Sequence, residues 1–348
     1  MRAAVYHGPN KVEITDVPEP HPGAGQVKIH VGFNGICGTD LHEYYAGPIF
    51  IPTEPHALTG QQMPLVLGHE FSGTITELGA GVTGWAIGDR VAIEPIYRCG
   101  QCGPCRAGNY NICQTIGFHG LMSDGGMAEY TVVPTDMLHA LPDSVSLELG
   151  ALVEPMSVAY HAATLGDVQA GDTAVVFGAG PIGIGLWFAL RGKGLENVTV
   201  VEPSQTRRAA IEALGARTLD PTAADVPAMI ADETDGRGAD AVYDAAGVAP
   251  AVATALACVG ARKPMIRVAI YEKPLTTPLI ELVMKEARIQ GSLCYTSADY
   301  DSVIGLMNDG AYDTTGWVSR IGIDAVIDDG FEALHAGTKM KVLVDPTL

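Results

Sequence analysis

Ala174-Val175-Val176-Phe177-Gly178-Ala179-Gly180-Pro181-Ile182-Gly183 decides the fold. An apolar run of strand length ends in Gly-x-Gly-x-x-Gly and passes into an apolar helical segment, with Pro181 in the first turn, where its missing N–H is not needed. Gly178 permits the tight turn, Gly180 lets the backbone approach a pyrophosphate, and Gly183 lets helix and strand pack closely. The helix N-terminus that Pro181 and Ile182 open offers its remaining free N–H groups, beginning with that of Ile182, to an anion. The next apolar strand, Val198 to Val201, ends at Glu202, nineteen residues beyond Gly183. A carboxylate there can accept hydrogen bonds from the adenosine ribose hydroxyls and would repel a 2′-phosphate, which favours NAD over NADP. Arg207, on the next helix, either salt-bridges Glu202 or packs on adenine. The plainer alternative for Glu202 is a surface acid at a strand end.

From about residue 170 apolar strands alternate with helical segments: Pro181 to Leu190, Val198 to Val201, Arg207 to Leu214, then Asp240 to Tyr243 and Met265 to Ile270. This is the βαβ rhythm of a doubly wound parallel sheet. The first 150 residues instead carry short alternating runs such as Val27-Lys28-Ile29-His30-Val31 among glycines and prolines, the pattern of half-buried strands. The chain therefore reads as α/β with a mostly-β domain over 1–155 and a nucleotide-binding Rossmann domain over 156–295. A tail over 296–348, ending in a strand at Lys341 to Val344, returns to the first domain. No tandem repeat or long linker interrupts it, so the two domains are expected to enclose a shared cleft.

At 348 residues with 47% hydrophobic content, two cores of ordinary size are expected. The formal charge of −19 would repel phosphate backbones and anionic bilayers, which argues against nucleic acid and membrane partners. No apolar run is long enough to span a bilayer, and MRAAVYHGPNKVEI lacks the layout of a signal peptide, so a cytoplasmic protein is expected.

Of seven cysteines, Cys99, Cys102, Cys105 and Cys113 fall within fifteen residues, interleaved with glycines and a proline. Their spacing lets four thiolates converge on one structural zinc that staples a lobe over about 95–115; an iron–sulfur cluster is the alternative for soft ligands. Cys258 and Cys294 read as small buried residues. A catalytic zinc needs mixed ligands and an open position. Candidates lie in Cys37-Gly38-Thr39-Asp40-Leu41-His42, in Gly68-His69-Glu70 and in Glu154-Pro155, none decisive alone.

Gly68-His69-Glu70-Phe71-Ser72-Gly73, followed after five residues by Gly79 and after two more by Val82, resembles the signature of the zinc-dependent medium-chain alcohol dehydrogenases. The four-cysteine lobe and the glycine motif follow in that family's order, and the likeness runs along the whole chain. Glu154-Pro155-Met156-Ser157-Val158 resembles the sorbitol dehydrogenase-like branch, where a glutamate replaces a second cysteine. More narrowly, 40–44, 47–52, 56–60 and 67–73 resemble the (R,R)-2,3-butanediol dehydrogenases. The resemblance implies a GroES-like first domain, two zinc ions per chain, and Cys37, His69 and Glu154 as catalytic zinc ligands, with Glu70 able to stand in for Glu154 or for a water. It also implies a homodimer or homotetramer, joined by edge strands near Met265 to Ile270.

The chemistry so implied is NAD-dependent interconversion of a small secondary alcohol or vicinal diol and its ketone, with 2,3-butanediol and acetoin foremost. Zinc would act as Lewis acid while the carbinol hydrogen leaves as hydride. By resemblance the proton runs from Thr39 through the cofactor ribose to His42, whose imidazole suits transfer near neutrality; a turn hydroxyl and a surface histidine are the alternatives. The aromatic and proline-rich loop over 44–63 would wall the pocket with Tyr44, Phe50 and Ile51, unless it serves lobe packing or subunit contact. A sorbitol or threonine dehydrogenase is the nearest alternative. A nucleotide-binding regulatory protein on the same scaffold is the remote one.

Overall fold

In the computed structural model, which describes every residue except 272, 273, 275, 276 and 278, the apolar run at 173–177 is an inner strand of a parallel sheet. Among the described residues the sheet runs Arg217–Leu219, Asn197–Val201, Thr173–Phe177, Ala241–Asp244, Pro264–Arg267, Arg288–Gly291. Every pairing is parallel. Strands flanked by helices on both faces read as continuous apolar runs, and Val175, Val176, Val200 and Val242 are fully buried. The order reverses beside Thr173–Phe177, the switch point at which open α/β sheets bind their ligands. Pro264–Arg267 is paired on both sides, so the outer strand is Arg288–Gly291 and not the expected segment near Met265 to Ile270.

This sheet belongs to one of two compact units, Pro155–Tyr295 with Gly310–Gly316. Tyr312 draws the latter segment in, its ring 4.8 Å from that of Phe188. The other unit comprises Met1–Glu154, Thr296–Asp309 and Trp317–Leu348. Here alternation of buried and open positions builds mainly antiparallel sheet. Gln26–Gly35 pairs with Glu70–Leu78, Tyr130–Pro134 and Lys341–Asp345. Val27, Ile29 and Val31 point into a core with Phe71, Ile75 and Val91. Lys341–Asp345 is inserted between Gln26–Gly35 and Val318–Gly322, so distant sequence completes the sheet that carries His69 and Glu70. No helix among the described residues is long and apolar enough to cross a membrane.

Candidate active site

Cys37 caps the helix Gly38–Ala46 with extended backbone, and the Asp40 carboxylate accepts the Cys37 N–H at 2.9 Å in a capping box. The Thr39 hydroxyl lies 3.7 Å from Cys37 Sγ. His69 and Glu70 enter from the start of the strand Glu70–Leu78. Cys37, His69 and Glu70 each offer a ligand atom, and these atoms lie within 4.8 Å of one another. Glu154, at the start of the helix Val153–Leu165, is buried outside that set, yet its charge helps raise the pKa of His69.

Acidic groups surround His69. Burial by itself would depress the His69 imidazole, but Asp40 and Cys37 outweigh it and hold its pKa well above the ordinary value. Burial pushes the Asp40 carboxyl up. Asp40 Oδ1 faces His69 Nδ1 at 3.5 Å, and neither atom has a hydrogen-bond partner among the described residues. A carboxylate behind a histidine is the arrangement that fixes the ring of a metal ligand. Glu70 is ion-paired with the buried Lys341, whose Nζ also donates to the Ile36 carbonyl at 3.0 Å.

In the lobe, Cys99, Cys102, Cys105 and Cys113 form the second such cluster. Cys99 and Cys105 sulfurs are 4.0 Å apart, and those of Cys102 and Cys113 3.9 Å. Four sulfurs at zinc–sulfur bond length from one centre would sit about 3.8 Å apart. Backbone N–H groups of Gln101 and Cys102 pull the Cys99 thiol down to about 6, while burial and neighbouring thiols push Cys105 up to about 12. The set therefore fits a closed tetrathiolate site.

The glycine motif fits a dinucleotide. A Cβ on Gly183 would collide with the Gly178 carbonyl, while one on Gly180 would meet nothing within 4 Å. Gly178 has φ +101°, a conformation that favours glycine. Glu202 is buried, its carboxylate accepting the Ala179 N–H at 2.8 Å and the Ser204 N–H at 2.9 Å. The arginine that secures this turn is Arg208, which donates to the Glu202 and Pro203 carbonyls and pairs with Asp220 at 2.9 Å. Arg207 does not form the ion pair with Glu202 that was one of its two expected roles.

Residues 23–143 match the alcohol dehydrogenase GroES-like domain family, and 181–309 match the zinc-binding dehydrogenase family. The (R,R)-butanediol dehydrogenase of Bacillus subtilis is 39% identical over 351 residues, covering 99% of this chain and 100% of that protein. The chain belongs to the zinc-dependent medium-chain alcohol dehydrogenases. A probable diacetyl reductase [(R)-acetoin forming] of Saccharomyces cerevisiae is 34% identical, covering 99% of this chain and 87% of the relative. The crystal structure of 2R,3R-butanediol dehydrogenase from Bacillus subtilis superposes with a TM-score of 0.93 over 99% of both chains.

In this alcohol dehydrogenase, Tyr44 and Ile51 are not open walls. Both lie in the core with Tyr6, Ile36 and Phe331, the Tyr44 ring 5.0 Å from that of Phe331. Phe50 remains 42% exposed. Cys258 is buried, whereas Cys294 is half-buried with φ +51°. A cavity of about 660 Å³, walled in part by Leu65, Tyr97, His119 and Thr131, contains none of Cys37, His69, Glu70 and Glu154. The metal-donor atoms converge at the buried cluster and not in this cavity, so we place the chemistry at the cluster. Asp40, Lys341 and Arg208 were not singled out in the sequence. Asp40 had a signal, its position three residues after an N-cap.

Proposed function

We propose that the enzyme interconverts 2,3-butanediol and acetoin with NAD(H), using one catalytic and one structural zinc. The observation that carries this reading is the convergence of Cys37, His69 and Glu70 beside Thr39. The substrate rests on the relatives named above, a butanediol dehydrogenase and a diacetyl reductase. Cys37, His69 and Glu70 would hold the catalytic metal, with Glu154 adding charge beside His69. Cys99, Cys102, Cys105 and Cys113 would hold the structural one. When bound, zinc polarises the substrate oxygen and lowers the pKa of its hydroxyl, and NAD accepts the hydride.

The chain's own residues do the rest. Asp40 orients the His69 ring, and Lys341 keeps Glu70 turned toward Cys37 and His69. Thr39 accepts the substrate's hydroxyl proton as it passes its own onward, and His42, three residues along the same helix face, takes up the relayed proton and releases it to solvent. Glu202 excludes a 2′-phosphate by charge and organises the glycine loop, which supports NAD as the preferred cofactor. A homodimer would cover the outer strand Arg288–Gly291 and the adjacent helix Ile280–Lys285, on which Ile280, Val283 and Met284 are exposed.

Following reduced-cofactor absorbance with (R,R)-, (S,S)- and meso-2,3-butanediol, with NAD or NADP, tests the reading directly. The best pair should lose turnover on chelation and regain it with zinc. A much higher kcat/KM on sorbitol or threonine than on any butanediol would overturn the substrate.

A further inference from the structure

Glu43 is fully buried one position after His42, and its carboxylate is turned onto the loop that follows the helix. The N–H groups of Ile49, Phe50 and Ile51 donate to it at 2.9, 2.5 and 3.3 Å. Three consecutive backbone donors around one carboxylate form an anion nest, here closed by a side chain of the same protein. The helix end is fixed as well, since the Tyr6 hydroxyl donates to the Glu43 carbonyl at 3.0 Å. Gly47 belongs to the same clamp. A Cβ there would lie 2.6 Å from Glu43 Oε2 and 2.5 Å from the Tyr6 hydroxyl.

A loop held this firmly would be expected to bury its apolar side chains. Ile51 does so, but Ile49 and Phe50 stay 53% and 42% exposed. Glu43 lies six residues along the chain from Cys37, about 9 Å of helix rise. The backbone of 49–51 is thus tied at short range to the element that carries Cys37, Thr39 and His42.

We infer that Glu43 is a positioning residue for substrate specificity: it clamps the 49–51 backbone so that Ile49 and Phe50 present an apolar wall to the methyl group at the far end of a small diol. The inference rests on the diol chemistry proposed above.

The test compares kcat/KM for 2,3-butanediol with that for 1,2-propanediol, which lacks one terminal methyl, in the zinc-loaded wild type and in Glu43→Gln. The substitution keeps the size of the side chain but replaces one acceptor oxygen with a donor facing backbone N–H groups. The preference for the methylated diol should fall about tenfold, the lower range for one apolar contact in a pocket. Zinc content and the KM for NAD should stay unchanged. Gly47→Ala, which presses on the same carboxylate, should move the ratio the same way. An unchanged ratio in both variants, with thermal stability lowered or both substrates slowed equally, would reduce Glu43 to a packing role and overturn the inference. Absence of wild-type turnover on both diols would instead overturn the substrate reading. The ratio is then taken with a pair of alcohols differing by one methyl that the wild type does oxidise.

Discussion

Lys341 and Glu70, 271 residues apart in the chain, form a buried ion pair beside His69 and Cys37. Lys341 is 2% exposed, so the charge it neutralises has no water to fall back on. Breaking such a pair by removing one partner costs about 3–5 kcal/mol, because the other is left buried and uncompensated. Lys341→Met should therefore lower the unfolding free energy of metal-free protein by about 3 kcal/mol. Adding Glu70→Gln should restore part of that loss, and a denaturant double-mutant cycle reads the coupling. Additive effects would show that the pair contributes no coupling energy.

Zinc counting separates the two clusters. Wild type should carry about two zinc ions per chain, as four sulfur donors and a mixed set each bind one. Cys102→Ser should lower the count to about one and depress the melting temperature, because a closed site contributes directly to folding. Cys37→Ser should also leave about one, with turnover abolished but the lobe intact. Elemental analysis alongside thermal melts checks both, and a full complement of metal in either variant would remove that cysteine from the ligand set.

His119 makes stability depend on pH. Burial pushes its pKa down from 6.5 to about 3, and the neutral ring is held by the Thr131 hydroxyl at 2.8 Å and by the Tyr97 and Ser123 hydroxyls, each at 3.1 Å. Between those values the unfolded chain binds a proton there and the folded chain does not. The contribution is thus fully present above about pH 6.5 and is lost progressively as pH falls toward 3, reaching about 2 kcal/mol at pH 5. Denaturant midpoints of wild type should fall over that range, and His119→Gln should flatten the fall. Equal slopes would place the acid sensitivity elsewhere.

Replacing Glu202 tests its double task. Glu202→Ala removes the charge proposed above to oppose a 2′-phosphate and leaves the Ala179 N–H without its acceptor. The kcat/KM with NAD should drop by about tenfold, the value of roughly 1.4 kcal/mol of binding, and the NADP to NAD ratio should rise. Steady-state kinetics with both cofactors decides it; an unchanged ratio would show that Glu202 does not select between them.

What could be read from sequence was what is encoded locally. Gly178 to Gly183 and the four lobe cysteines depend on spacings of a few residues, and helix or loop geometry turns such spacings directly into sites. Asp40 was readable in principle for the same reason. Lys341 was not, since only strand order brings it beside Glu70. Arg207 and Arg208 are neighbours about 100° apart around a helix, and which of them reaches the Glu202 turn depends on how that helix packs. Tyr44, Phe50 and Ile51 share an apolar-rich stretch, Tyr44 in the last turn of a helix and the other two in the loop beyond it, but composition could not say which of them faces the core. The outer strand was misplaced because the rhythm of strands and helices does not reveal where a sheet stops.

The insertion of Lys341–Asp345 between Gln26–Gly35 and Val318–Gly322 also sets an order of events during synthesis. As the chain leaves the ribosome, residues 155–316 emerge with the six strands that the parallel sheet has among the described residues, and with Tyr312, before the strand that completes the first unit exists. The nucleotide-binding unit can fold on the nascent chain, while the earlier-made residues wait with an open sheet edge and with Glu70 unpaired. A newborn chain should therefore be able to grip a dinucleotide before its metal-binding centre is finished.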